Sequence, residues 1–306
     1  SDLDAADRFD PAVHTRGDNA SLLIFASSYA DFLAIDRAAF DIVAVTGNSM
    51  GWYTALACAG ALSPEDAVAL VNTMGRLTHE GLVGGQVLFT LVDEAWRPIP
   101  GYRDALCARA RDVTDRFPGG LHVSIELGGM IVFAGQEPAI EALMSEAPPG
   151  SLRLPLRLPN HSAFHSPLMA EVADEARALL SASGFRAPQT PLIDGRGRIW
   201  RPGASARQAL WDYTLGAQVL ETYDFTSAVQ VAVKEFAPRI VIVLGPGDTL
   251  GGAVAQSLAQ IGWGGVIDKP TFLARQASEP PLLLSMGRED QRPRAVGPGV
   301  VQTALT

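Results

Sequence analysis

Residues 41–62 read Asp-Ile-Val-Ala-Val-Thr-Gly-Asn-Ser-Met-Gly-Trp-Tyr-Thr-Ala-Leu-Ala-Cys-Ala-Gly-Ala-Leu. Ile42, Val43 and Val45 make a short run of strand formers with no Pro or Gly inside it. Gly47-Asn48-Ser49-Met50-Gly51 is a G-x-S-x-G sequence, and Trp52 to Ala59 reads as a buried, Ala-rich helix ended by Gly60. A strand, a Gly-flanked serine and a helix in that order are the pattern of a nucleophile elbow, which constrains the chain to an α/β fold with a parallel sheet. The glycines let strand and helix approach closely, so the turn can hold the Ser49 hydroxyl exposed. The Met50 N–H, at the positive end of the helix, is then aimed at any negative charge that forms on an attacked carbonyl. A serine in an ordinary strand-to-helix turn would share the five-residue motif; the strand and helix around it favour the nucleophile.

With 306 residues, the chain can bury a large core and is either one big domain or a domain carrying an insertion. A hydrophobic content of 47% and a charged content of 19% describe a soluble globular protein. No apolar run approaches the length of a membrane span, and the N-terminus lacks the basic-then-apolar pattern of a signal peptide. The net charge of −9 argues against nucleic acid as a partner. Two cysteines, Cys58 and Cys107, leave no disulfide framework, and a reducing cytoplasm fits best. The five histidines are scattered without zinc-type spacing, so no metal is expected.

In chain order, residues 1–17 read as polar and irregular, and Asp18 or Asn19 caps a helix from about Ser21 to Phe32. Ser63-Pro64-Glu65-Asp66 is a helix start, with Ser63 as N-cap and acids in the first turn, and that helix runs to about His79. From Gln86 the texture changes to strand 87–92, helix 103–116, strands 121–125 and 130–134, helix 137–147 and strand 152–158. This β-α-β-β-α-β order matches a small ferredoxin-like unit inserted into the larger domain. The expected division is 1–85 with 159–268 as the large α/β catalytic part and 86–158 as the ferredoxin-like part. Residues 269–306 read as a Pro-rich C-terminal extension, on the surface or disordered. Arg239 to Leu244 reads as a buried strand turned by Gly245-Pro246-Gly247 into the helix Thr249–Leu258.

A serine is a poor nucleophile until a base takes its proton, and histidine titrates in the useful range. His165 is the best candidate: it follows a strand, sits beside the helix start Ser166-Pro167, and so lies where open α/β sheets place ligands. His161, four residues earlier in the same loop, competes with it. His14, His79 and His122 read as structural.

Taken together, Gly-Asn-Ser-Met-Gly-Trp-Tyr, Ala-Phe-His-Ser-Pro-Leu-Met and Leu-Gly-Pro-Gly-Asp-Thr-Leu resemble the malonyl-CoA:acyl carrier protein transacylase family, which includes the acyltransferase domains of fatty acid and polyketide synthases. The resemblance runs in order over about residues 20–260. It implies Ser49 as the acyl-accepting nucleophile and His165 as general base and then general acid. The Met50 N–H falls at the oxyanion site. By position, Asp224 falls where the family orients its histidine through a backbone carbonyl, and its side chain could do this instead. The resemblance implies no bound cofactor: acyl-coenzyme A is a substrate, and an acyl carrier protein is the partner, bringing its phosphopantetheine thiol.

The chain departs from the family in four places. The family opens on a strand and a Gly-Gln-Gly loop that supplies a second oxyanion donor, and residues 1–306 start after that element. Asn48 replaces the histidine before the serine, and Trp52 replaces an acidic residue after the motif. Met74 stands where the family has the arginine that binds a malonyl carboxylate. Asn48 and Met74 therefore suggest an acyl pocket for uncharged acyl groups. An acyl-thioester hydrolase, a malonyl-specific transacylase and a non-catalytic carrier-binding subunit are the alternatives. Arg196, Arg198 and Arg201 form the densest basic stretch to meet an acidic carrier.

Overall fold

The computed structural model describes residues 17–150 and 154–296. The readings for residues 1–16, 151–153 and 297–306 lie outside them. The helix expected from Ser21 begins earlier, as α1 (Gly17–Ala34). Next come β1 (Val45–Thr46), α2 (Gly51–Cys58) and α3 (Pro64–Glu80). The start of α3 is as its sequence dictates: the Ser63 hydroxyl accepts the Asp66 N–H at 3.0 Å, with Pro64 in the first turn.

The segment 85–158 contains β2 (Gly85–Thr90), α4 (Tyr102–Arg116), β3 (Leu121–Leu127), β4 (Met130–Gly135), α5 (Glu137–Ser145) and β5 (Leu156–Leu158). Its strands lie in the order β5-β2-β4-β3, all neighbours antiparallel, which is the ferredoxin-like arrangement. The period of two along each strand divides its side chains between two cores. Val87, Phe89, Ile131 and Phe133 pack with Leu106, Val113, Ile140 and Leu143 of α4 and α5. Val132, Ile125 and Leu88 face the opposite way, into the core shared with α2 and α3. This second face supplies one wall of the site described below.

The chain then runs through α6 (Ala170–Leu179), β6 (Leu192–Ile193), β7 (Ile199–Trp200), α7 (Arg207–Asp212), a π-helical turn over 213–217 and α8 (Gln218–Leu220). After these come β8 (Tyr223–Asp224), α9 (Phe225–Phe236), β9 (Val241–Val243), α10 (Thr249–Ala259), α11 (Lys269–Gln276) and β10 (Leu283–Ser285). The two-residue β8 joins the ferredoxin-like sheet beside β3 in parallel, tying the two parts together. β1 pairs in parallel with β6, and β9 in parallel with β10. β7 adds an antiparallel edge to β6, so the fold is α/β with a large part whose strand pairs are mostly parallel and a small α+β part. The elbow strand is shorter than its apolar run: only Val45 and Thr46 pair, with Val45 N–H donating to the Pro191 carbonyl. Pro188 and Pro191 have no N–H to extend the ladder towards Ile42.

Within the described residues, the segment from Lys269 to Val296 is not a surface extension. Leu282, Leu283, Leu284 and Met286 are buried, and Leu284 and Met286 form a cluster with Ile35 and Ala295. Asp31 on α1 accepts from the Gly245 N–H at 2.9 Å and pairs with Arg292, so a buried carboxylate ties this segment to the large part. The prolines that suggested an extended tail flank the strand instead: Pro280 and Pro281 precede it and Pro293 follows it. Among the described residues, no helix is long and apolar enough to cross a membrane.

Candidate active site

Between β1 and α2 the chain makes the turn that its glycines allow. A Cβ on Gly47 would stand 2.1 Å from the carbonyl oxygen of Gly51, so no larger residue fits there. Ser49 is held at φ +53°, a left-handed conformation that a non-glycine residue adopts only when its surroundings impose it. Met50 is the N-cap of α2, and its carbonyl accepts the Tyr53 N–H. The Gly51 and Trp52 N–H groups are likewise spent within the turn, on the Asn48 and Ser49 carbonyls, which leaves the Met50 N–H as the backbone donor beside Ser49.

The other half arrives from 116 positions away: Ser49 Oγ lies 2.7 Å from His165 Nε2. His165 follows Phe164 in the loop after β5 and has its own left-handed φ of +56°. Its Nδ1 lies 2.6 Å from the backbone carbonyl of Gln218. A carbonyl can only accept, so Nδ1 carries the hydrogen and the Nε2 lone pair is left facing Ser49. The ring is 4% exposed and lies against Tyr223, with centroids 5.3 Å apart. Burial pushes the imidazole down to about 4, against the smaller opposing effect of the Gln218 carbonyl. At neutral pH His165 is therefore the uncharged base that can take a serine proton.

His161 is separate from this pair. Its Nδ1 lies 2.6 Å from Gln86 Oε1, Gln86 Nε2 donates to Ser124 Oγ at 2.6 Å, and Ser124 donates to the Phe164 carbonyl at 2.8 Å. His161 thus terminates a polar chain that pins the backbone next to His165. Asp224 does not orient His165, contrary to the sequence expectation. Its carboxylate accepts from the Ser227 N–H at 2.8 Å and from the Ser227 hydroxyl, capping α9. A capping aspartate is already committed to the helix N-terminus, and Gln218 holds the histidine in its place.

Asn48, Ser49, Met50, Met74, His161 and His165 all line one cavity of about 1350 Å³, with Gln86, Leu88 and Val132 of the ferredoxin-like sheet on its wall. Met74 is 4% exposed and sits in the large core. Arg76 points elsewhere, paired with Glu80 at 2.6 Å. Among the described residues, Arg239 is the one lysine or arginine lining the cavity, at the start of β9. Asn48 Oδ1 is buried with no hydrogen-bond partner among the described residues. The basic stretch is engaged internally: Arg196 pairs with Glu221 at 2.6 Å, Arg201 with Glu235 at 3.9 Å, and Arg198 stacks on Trp200. The buried Asp194 organises this turn, accepting from the Arg196 and Arg198 N–H groups.

No family model matches the chain. It is 28% identical over 213 residues to a malonyl CoA-acyl carrier protein transacylase of Escherichia coli strain K12, an alignment covering 68% of this chain and 63% of that protein. Among solved structures, it resembles an acyl-carrier-protein S-malonyltransferase of Burkholderia pseudomallei with a TM-score of 0.72 and 22% identity, over 92% of this chain and 82% of that one. A type II polyketide malonyl-transacylase in complex with its acyl carrier protein matches with a TM-score of 0.68 and 21% identity, over 81% and 77% of the two chains. In sequence and in fold the chain is similar to malonyl-CoA:acyl carrier protein transacylases. The alignment spans 63% of the length of the first curated relatives of that family. Gln218 carries no signal in the sequence, for a physical reason. The group that matters there is a backbone carbonyl, which any residue carries, left without an in-helix donor because α8 stops two residues later.

Proposed function

We propose that the protein is an acyltransferase that moves an acyl group from coenzyme A through an acyl-Ser49 to the phosphopantetheine thiol of an acyl carrier protein. The observation that carries this reading is the 2.7 Å contact between Ser49 Oγ and the Nε2 of a buried, neutral His165, at the mouth of a helix N-terminus. In the first half-reaction, Ser49 Oγ attacks the thioester carbonyl carbon as its proton passes to His165 Nε2. The carbonyl oxygen becomes an oxyanion, with the Met50 N–H as a donor to it. Collapse breaks the carbon–sulfur bond, and the departing coenzyme A sulfur takes the proton from His165. In the second half-reaction the carrier thiol gives its proton to His165 and attacks the acyl-serine. Ser49 then leaves with that proton. His165 serves as base and acid in turn, and neither role requires it to be charged at rest.

The acyl group follows from what surrounds the pair. A malonyl carboxylate entering a partly desolvated site needs a cation, and leaving a buried charge unpaired costs about 2–5 kcal/mol. Met74 presents a thioether where the family's arginine would stand, and Arg76 is turned to Glu80. Arg239, the one arginine lining the cavity among the described residues, stands at the start of β9 and not on α3; the preferred substrates are therefore uncharged acyl thioesters, although the relatives named above are malonyl transferases. Competition between malonyl-CoA and acetyl- or hexanoyl-CoA, read as the mass on Ser49, tests this. Acetyl or hexanoyl should dominate, and Met74→Arg should move labelling towards malonyl. Predominant malonyl labelling of the wild type would overturn the acyl preference, and free acid in place of acyl carrier product would overturn the transfer step.

A further inference from the structure

Gln218 touches both halves of the Ser49–His165 pair, and it does so with different parts of itself. Its backbone carbonyl holds His165 Nδ1 at 2.6 Å. Its side-chain Nε2 donates to the Ser49 backbone carbonyl at 3.1 Å, and its Oε1 accepts the Tyr53 hydroxyl at 3.0 Å. The amide orientation is fixed by its partners: the Ser49 carbonyl can only accept, so the NH₂ must face it, and the Tyr53 hydroxyl must then donate to the oxygen. Burial keeps Tyr53 protonated well beyond neutral pH, so this donor is permanent.

The local backbone explains why one residue can do all this. A π-helical turn over 213–217 leads into α8, which ends at Leu220 with Glu221 extended. The Gln218 carbonyl therefore lies in the last helical turn, where a carbonyl lacks an in-helix donor, and it is available to His165. Gln218 is 3% exposed, and Ser49 is held in a left-handed conformation that needs outside support.

We propose that the Gln218 side-chain amide is a positioning group in its own right: it clamps the elbow through the Ser49 carbonyl, from the same residue whose backbone already holds the histidine. This rests on the reading of Ser49 as the acyl-accepting nucleophile. It assigns to the amide a task separate from that of the carbonyl, and side-chain substitutions can isolate the two.

The test uses Gln218→Met and Gln218→Glu in the full chain, with folding checked by circular dichroism. Both keep the backbone carbonyl. Acylation of Ser49 by acetyl-CoA is followed by quenched-flow intact mass, and fluorophosphonate labelling is run in parallel. Gln218→Met should lower the acylation rate constant and the labelling rate by roughly 10²-fold, the cost of about an ångström of misplacement, with KM little changed. Gln218→Glu places a carboxylate against the Ser49 carbonyl at neutral pH. A protonated carboxyl can again donate to that carbonyl and accept from Tyr53. The activity of Gln218→Glu relative to wild type should therefore recover as pH falls from 8 to 5.5, an effect that a merely structural glutamine would not produce. Wild-type rates in Gln218→Met, or a flat ratio of Gln218→Glu to wild type across pH, would overturn the proposal. Wild-type labelling by the fluorophosphonate without acylation by any acyl-CoA would instead sink the transferase reading, and the labelling rates of the two variants would still decide the clamp.

Discussion

His165 Nδ1 and the Gln218 carbonyl oxygen lie 2.6 Å apart across 53 residues of sequence, and this contact decides which ring nitrogen can work as a base. Replacing the ring removes both the proton acceptor and the leaving-group acid. His165→Ala should lower the rate of Ser49 acylation by about 10²–10⁴-fold, measured by single-turnover mass spectrometry. His161→Ala, which removes the contact to Gln86 and the ring contact with Phe164, should retain most of that rate. A larger loss in His161→Ala than in His165→Ala would reverse the assignment.

The pH dependence has a definite sign. Because burial holds His165 down to about 4, the neutral base is present from mildly acidic pH upward. The acylation rate should rise as pH increases through about 4 and be level by pH 6, whereas an unperturbed imidazole would place that limb near 6.5. Stability moves the same way. Between about 6.5 and 4 the unfolded chain binds the proton and the folded one does not, so acidification through this window destabilises the fold, by an amount on the order of 3 kcal/mol from this group. Denaturant titrations at pH 7 and 4.5, for wild type and His165→Asn, check it. The variant should lose less stability over that interval.

Asp224 distinguishes a cap from a catalytic orienter. Asp224→Ala removes the acceptor for the Ser227 N–H, and the expected loss is about 1 kcal/mol of stability by urea unfolding. The acylation rate and its pH profile should stay within about twofold of wild type, because His165 is held by Gln218.

The motif-bearing parts of this fold were readable in advance because each carries its signal locally. Gly47 and Ser49 announce a strained turn, Ser63-Pro64-Glu65-Asp66 a helix start, and the apolar run from Val87 to Val92 a strand. The pairing of His165 rather than His161 with Ser49 could be favoured by its place beside Ser166-Pro167, though only the fold brings the two side chains to 2.7 Å. What sequence hid was non-local. The Gln218 carbonyl has no side-chain signature. Asp224 looks the same as a helix cap or as an orienter until its neighbours are known. Leu282 to Met286 sit among prolines that suggest an extended tail, yet they pair with Val241 to Val243 and close the core.

That last element makes a stability prediction. Leu284 is 1% exposed and packs against Ile35, Met286 and Ala295. Leu284→Ala should cost about 2–5 kcal/mol in equilibrium unfolding, through lost burial and the cavity left behind. A cost under 0.5 kcal/mol would mean that the segment contributes little to the fold.

The central claim is that Ser49 carries the acyl group, and intact mass after incubation with a panel of acyl-CoAs tests it most directly. The wild type should gain the mass of one acyl group on the peptide containing Ser49, and Ser49→Ala should gain none. Adding a phosphopantetheinylated acyl carrier protein should discharge the label onto the carrier thiol. No adduct with any acyl-CoA, or an equal adduct on Ser49→Ala, would contradict the account.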